Sequence, residues 1–265
     1  MLFVTRHRLD WHRACKRNGT IGPADNPFDT RRKGNEKKMR AGTLKQQRQS
    51  GFTLVEIAIV LVIIGLLLGG ILKGQEMIVQ AKIKNSISDF NGILAAYNGY
   101  LDRYRALPGD DPLANRWTGG TVGNGNSIIQ GGYESQVADA ESRLFWQHMR
   151  MAGFIPGQGQ QQPTNAHNGI LGIQTGDAAG GATLAAAAAA PDPAVPGIGG
   201  VMVCASQVPD KVAIAIDNQT DDGRSRSGQV RAVSATGNAA IGAGQAPEAL
   251  YQETGTTTYV VCRSI

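Results

Sequence analysis

The sequence predicts an α+β chain: one long N-terminal α-helix, membrane-spanning in its first half, packed on a small C-terminal antiparallel β-sheet head. Three observations lead there. An unbroken apolar run covers 52–72, an amphipathic stripe continues from it without a stop signal, and short strand-like stretches follow residue 200. The 265 residues, 42% hydrophobic, suffice for one domain with a real core beside such a helix. Thirty-five glycines and only 6% aromatics point to a modest core and many turns.

The apolar run, FTLVEIAIVLVIIGLLLGGIL, contains a single charge, Glu56. As a helix it extends ~31 Å, the thickness of a bilayer's hydrocarbon core. A buried helix of a soluble protein is a poor alternative, because this one is apolar on every side. The net charge of +5 belongs entirely to the flank before it. Residues 1–50 hold 13 Lys/Arg against 4 Asp/Glu, and the remainder is mildly acidic with 13 against 17. The basic flank keeps the N-terminus cytoplasmic and sends everything after Leu72 across the membrane. Scattered cations on an acidic remainder do not make a phosphate-tracking surface, so nucleic acid is not an expected partner.

Beyond Lys73 the pattern turns amphipathic. Ile83, Ile87, Phe90, Leu94, Tyr97, Leu101 and Tyr104 recur at alternating spacings of four and three, a stripe that wants a partner. It ends at Leu107-Pro108-Gly109-Asp110, a hard stop followed by globular sequence, so packing on the chain's own sheet is favoured over a coiled coil. The helix is expected over 52–105, about 80 Å long. The resulting division is a leader 1–51, a transmembrane half 52–72, an amphipathic half 73–106, and an exported head 107–265 with a low-complexity loop 157–200.

Within the head a helix is expected over 135–151. His148 beside Trp146 carries no catalytic reading, since no Asp, Glu, Cys or second His lies within a helical turn, and a surface or half-buried histidine is expected. Strands are expected at 201–206, 211–217, 229–234 and 257–263.

A cleaved secretory signal places its small-residue site after the apolar run. Here Gly51 precedes it, following KQQRQS, and Glu56 is the fifth residue of the run. Gly51-Phe52-Thr53-Leu54-Val55-Glu56 followed by an apolar helix resembles the processing site of type IV pilins and pseudopilins. The resemblance is tightest over about 22 residues, extends through Arg105, and beyond that is one of architecture. It implies a pilin-like fold and cleavage after Gly51 by a prepilin peptidase, with methylation of the new N-terminus, Phe52. It further implies assembly with other pilin or pseudopilin subunits on an inner-membrane platform, and location in a bacterial inner membrane with the head periplasmic, then in a filament or at the cell surface. The PGDDP turn and the WQH helix also resemble a subgroup of prepilin-like proteins.

Ionised carboxylates in membrane helices are costly and usually paired. No Lys or Arg stands between Gly51 and Lys73, so the expected partner of Glu56 is the α-amine that cleavage creates at Phe52. Between chains that pairing sets the stagger of a filament, because any other register leaves the carboxylate in apolar surroundings. Gly65 with Gly69, and Gly70 with Gly74, add two small-xxx-small spacings suited to close helix packing.

Of the three cysteines, Cys15 lies in the basic leader, and Cys204 and Cys262 lie in two expected strands on the exported side. In an oxidising compartment they pair, constraining the unfolded chain by roughly 4 kcal/mol. Pilins often carry such a C-terminal disulfide-bounded region. Asp217, Asp221 and Asp222, preceding Gly223, form the one cluster with hard-cation chemistry, although the twelfth-position acid of an EF-hand is missing. No cofactor is expected: an Asx-rich turn joining two strands is the favoured reading of this cluster, and calcium is the alternative.

The expected function is that of a structural subunit of a type IV pilus or pilus-like filament. A type II secretion pseudopilin is the alternative, and a DNA-binding minor pilin a more distant one, for which Arg224, Arg226 and Arg231 are the candidate contacts. A membrane-anchored enzyme needs a nucleophile, an acid/base pair or a metal cage, and the sequence offers no such set, so no catalytic residue is assigned. Translation is expected to start at Met39, which leaves a 13-residue leader and makes residues 1–38 dispensable.

Overall fold

Helix α1 (Leu54–Tyr104, 51 residues, about 76 Å) begins and ends on signals local to the sequence. Thr53 is its N-cap, in extended backbone, and its hydroxyl accepts the Glu56 N–H while the Glu56 carboxylate accepts the Thr53 N–H, a reciprocal capping box. At the far end Arg105 takes a left-handed φ of 53° and gives its N–H to the Leu101 carbonyl. The computed structural model describes residues 51–176, 184, 196–242, 245–248 and 250–265. The expectations for the leader, its start at Met39 and Cys15, and part of the low-complexity loop 157–200, lie outside the described residues.

After α1 come a 3-10 turn (Ala114–Arg116), α2 (Glu141–Met151), β1 (Leu171–Thr175), β2 (Val201–Pro209), α3 (Asp210–Thr220), β3 (Val230–Ser234) and β4 (Thr258–Ser264). The strands form one antiparallel sheet in the order β1-β2-β4-β3. Period-two alternation divides the side chains between two cores. Val201, Val203 and Ala205 of β2, Val230 and Ala232 of β3, and Tyr259 and Val261 of β4 face α1, α2 and α3. Met202, Cys204, Val233, Val260 and Cys262 face the other way, under Tyr133, Leu184, Ile198 and Ile241.

Both edges of the sheet are covered. The loop before α2 lies along β1, with Tyr133 N–H on Gln174 Oε1 and Thr175 N–H on the Ile129 carbonyl. Along β3, the Ala232 N–H reaches the Ser225 carbonyl, and the Glu248 N–H reaches the Ala232 carbonyl. Neither edge is left as a template for further strands.

Four expectations need correction. The buried seam of α1 is Ile83, Ser86, Phe90, Ile93, Ala96, Tyr97 and Tyr100, with Ile87, Leu101 and Tyr104 only partly buried beside it. The stripe read from the sequence is thus rotated by about one residue, because Tyr100 is drawn inward by the Asp111 carboxylate. Residues 211–217 are helical. Val212, Ile214 and Ile216 alternate like a strand, but β2 ends at Pro209, which is the N-cap of α3, and that helix buries Val212, Ala213, Ile216 and Asp217. Strand β1 lies inside the stretch expected to be loop, and the helix expected over 135–151 begins at Glu141.

Candidate processing and assembly site

Gly51 and Phe52 lie ahead of the helix in irregular backbone, and Phe52 is 83% exposed. A Cβ on Gly51 would meet nothing within 4 Å. Nothing among the described residues therefore imposes a need for glycine there. α1 starts at Leu54, not at residue 52 as expected, so Phe52 does not share a helix face with Glu56.

Nor does Glu56 lack a partner within the chain. Its Oε2 accepts from the Thr53 N–H at 2.8 Å and from the Thr53 hydroxyl at 3.0 Å, and its own N–H returns to that hydroxyl at 3.2 Å. Both donors converge on one oxygen. Thr-Leu-Val-Glu is a capping-box sequence, so Thr53 was legible from residue spacing alone and was missed.

The helix that follows is long and apolar enough to cross a membrane, and the apolar window is wholly unburied. Leu54 to Leu72 present Leu, Ile and Val on all sides, and Met77, Ile78 and Val79 extend the exposed apolar surface past Lys73 and Glu76. Cβ atoms added at Gly65, Gly69, Gly70 or Gly74 would meet nothing within 4 Å. First burial comes at Ile83, where the head begins to pack.

The titratable side chains of the head hold loops. Asp111, fully buried, accepts from Tyr100 Oη at 2.6 Å, from the Leu113 N–H, and from Arg116 through both guanidinium nitrogens. Burial alone would raise its carboxyl pKa, but those donors hold it below the usual range. Asp110 accepts the N–H groups of Gly125, Asn126 and Ser127. His148 is fully buried, not half-buried as expected. Its Nδ1 accepts the Gly109 N–H at 2.9 Å and its Nε2 lies 2.7 Å from the Thr121 carbonyl, which makes it a neutral imidazole with the proton on Nε2. Burial pushes its pKa down. Gly109, at φ +95° with the Glu141 carbonyl 2.5 Å from where a Cβ would sit, has to be glycine for this turn to close.

Carboxylate oxygens of Asp217, Asp221 and Asp222 come within 4.8 Å of one another. The cluster joins α3 to β3, not two strands, and existing donors serve it. Asp217 accepts from the Gly223 N–H and from Tyr251 Oη, Asp221 from the Val230 N–H, and Asp222 from the Arg224 N–H and Ser227 Oγ. Burial raises the Asp217 pKa to about 6 despite those two donors, with Asp222 and Asp221 adding repulsion. These bonds suit the turn, and no geometry beyond them points to a cation. Of the three arginines considered for nucleic acid, Arg226 and Arg231 are buried.

Cys204 and Cys262 are joined by a disulfide and stand directly opposite one another in the β2–β4 register.

Residues 46–72 match the family described as the prokaryotic N-terminal methylation motif. The match covers Gly51 to Glu56 and the apolar run, the residues on which the resemblance to type IV pilins and pseudopilins rests. No curated protein and no solved structure matches the chain.

Proposed function

We propose that this chain is a structural subunit of a type IV pilus or pilus-like filament, cut between Gly51 and Phe52, methylated at Phe52, and built into the filament through its N-terminal helix. The observation that carries the reading is the pairing of the matched motif with an apolar half-helix that nothing among the described residues covers. A bilayer covers it before assembly, and the helices of neighbouring subunits cover it afterwards.

Both capping donors end on Oε2 of Glu56, so Oε1 remains for a second, charged donor. The amine that cleavage frees on a neighbouring subunit fits that need: it neutralises the carboxylate in apolar surroundings and admits one axial register. The capping box keeps the acid oriented until then.

Mass spectrometry of the protein from cells with an active prepilin peptidase tests the reading. The expected N-terminus is methylated Phe52, and Gly51→Val is expected to leave only precursor. An intact leader in mature protein, or cleavage after Leu72, rejects it. The genomic neighbourhood tests whether the filament is a pilus or a secretion pseudopilus: an adjacent retraction ATPase favours a pilus, and a secretin with secretion-specific parts favours a pseudopilus.

A further inference from the structure

Thr53 stands between the bond that the filament reading cuts and the helix that it anchors, and that reading gives the residue no part in the cutting. Its backbone is extended, at φ −76° and ψ 150°, and it is the N-cap of α1. The helix takes up its carbonyl through the Ile57 N–H at 3.3 Å. Gly51 and Phe52 stay in irregular backbone ahead of that point. The Gly51 carbonyl, at the bond to be cut, therefore lies outside the hydrogen-bond ladder of α1.

The first N–H groups of a helix have no partner in its own ladder and need a cap. Here the Thr53 hydroxyl accepts the Glu56 N–H at 3.2 Å, and the Glu56 carboxylate accepts the Thr53 N–H at 2.8 Å. At the face of a bilayer, where little water can serve an N–H that loses such a partner, the cheapest repair is one more turn of helix. In that turn the Glu56 N–H passes to the Phe52 carbonyl and the Val55 N–H to the Gly51 carbonyl, four residues back. Neither residue blocks the extension sterically, since Phe52 is exposed and a side chain even at Gly51 would meet nothing within 4 Å. What holds the start of α1 at Leu54 is the cap.

We propose that Thr53 is a positioning residue for leader removal: by capping α1 it keeps the Gly51 carbonyl free of the helix and open to the peptidase. The inference rests on the cut between Gly51 and Phe52 proposed above. Hydrolysis adds one water across that bond. The water oxygen joins the Gly51 carbonyl carbon, the C–N bond to Phe52 breaks, and the products are a carboxylate on Gly51 and a protonated amine on Phe52. A helical Gly51 would hold its carbonyl against the Val55 N–H and withhold the extended main chain with which a peptide-binding cleft pairs. Thr53 accepts a backbone N–H, which residue 56 offers whatever its side chain. Its part in cutting is thereby separate from the part of the Glu56 carboxylate in assembly.

The test is the initial rate of leader loss from the full precursor in detergent micelles with limiting prepilin peptidase, read by gel shift, with the cut located by mass spectrometry. Thr53 is exposed and remote from the head, so substitutions there leave the fold intact. Thr53→Val keeps the shape and loses the acceptor, and should slow the cut by about fivefold, the population shift that loss of one helix cap produces. Thr53→Ser and Thr53→Asn keep an acceptor and should be cut at close to the wild-type rate, as should Glu56→Ala. Amide exchange supplies the readout that a lost contact with the peptidase would not move: the Val55 N–H should gain protection in Thr53→Val and not in Thr53→Ser. Equal rates for the wild type and Thr53→Val overturn the inference and leave the cut itself standing. Equal slowing in Thr53→Val, Thr53→Ser and Thr53→Asn, or unchanged exchange at Val55 in Thr53→Val, also overturns it, because the role then lies in contact with the peptidase. A wild type not cut after Gly51 rejects the processing reading and this inference with it.

Discussion

The two halves of α1 are one continuous helix with opposite fates. From Leu54 to Val79 its large apolar side chains are exposed, and from Ile83 to Tyr100 one seam of it is buried against the sheet, α2 and α3. Up to Leu72 the first half is apolar all round with Glu56 its single charge, whereas the second is amphipathic and meets its partners within the chain. Helical structure is thus not what distinguishes them. The difference is whether the fold supplies the other side of the contact: the C-terminal half finds its surroundings there, and the N-terminal half finds none among the described residues.

Substitutions at Glu56 probe the exposed half and carry the largest expected effect. Glu56→Ala should leave membrane insertion and cleavage intact, but its recovery in sheared filaments should fall by about tenfold or more, the scale for losing one partner of a desolvated charge pair. Glu56→Gln sharpens the point, since it keeps an acceptor for the Thr53 N–H and loses the charge. Wild-type assembly of the Gln variant with failure of the Ala variant would assign the role to helix capping, and failure of both assigns it to charge.

A matched pair of truncations tests the comparison directly. Phe90→Ala, at a site 1% exposed, should lower the unfolding free energy of the head by about 3–5 kcal/mol. Leu61→Ala, at a site 64% exposed, should change it by less than about 0.5 kcal/mol. Chemical denaturation in a membrane-mimetic detergent measures both, and equal losses would break the distinction between the halves.

Cys204→Ser should cost roughly 2–4 kcal/mol, measured the same way, without affecting insertion. The effect stays below that of the deepest core truncations because β2 and β4 remain hydrogen-bonded on either side of the lost bridge.

The smallest effect is that of pH, and it should be confined to the head. His148 has a depressed pKa in the folded state, so the unfolded chain takes up its proton first. Its contribution to stability is complete above about pH 6.5 and is lost as pH falls below that value toward the folded pKa. Asp217 acts in the opposite sense. Its folded pKa is raised to about 6, so its carboxylate penalises folding above that pH and the penalty is relieved as pH falls toward 3.8. Thermal midpoints between pH 7.5 and 5 should therefore change little in the wild type, and Asp217→Asn should uncover the decline due to His148. A flat profile in the Asn variant would show that the Gly109 and Thr121 contacts tolerate imidazolium.

The sequence by itself determined what depends on neighbours along the chain. The apolar run, the continuous helix, its stop before Pro108 and the capping box of Thr53 and Glu56 follow from spacing, cap chemistry and hydropathy, because a helix satisfies its backbone locally. The α+β class and the strands at β2, β3 and β4 were legible by alternation, and the exposed Gly51 and Phe52 by their place before the run. Tertiary structure decided what depends on contacts made across the chain. Tyr100 rather than Leu101 turns inward because Asp111 waits for its hydroxyl, residues 211–217 coil because α3 has a helix face to bury beneath the sheet, and β1 forms because β2 offers it an edge. Arg231 is the extreme case, since nothing in its sequence neighbourhood marks a basic residue in a strand as the donor to a carbonyl 47 residues earlier. A buried charge becomes tolerable only when distant carbonyls are brought to it, and that proximity is a property of the fold.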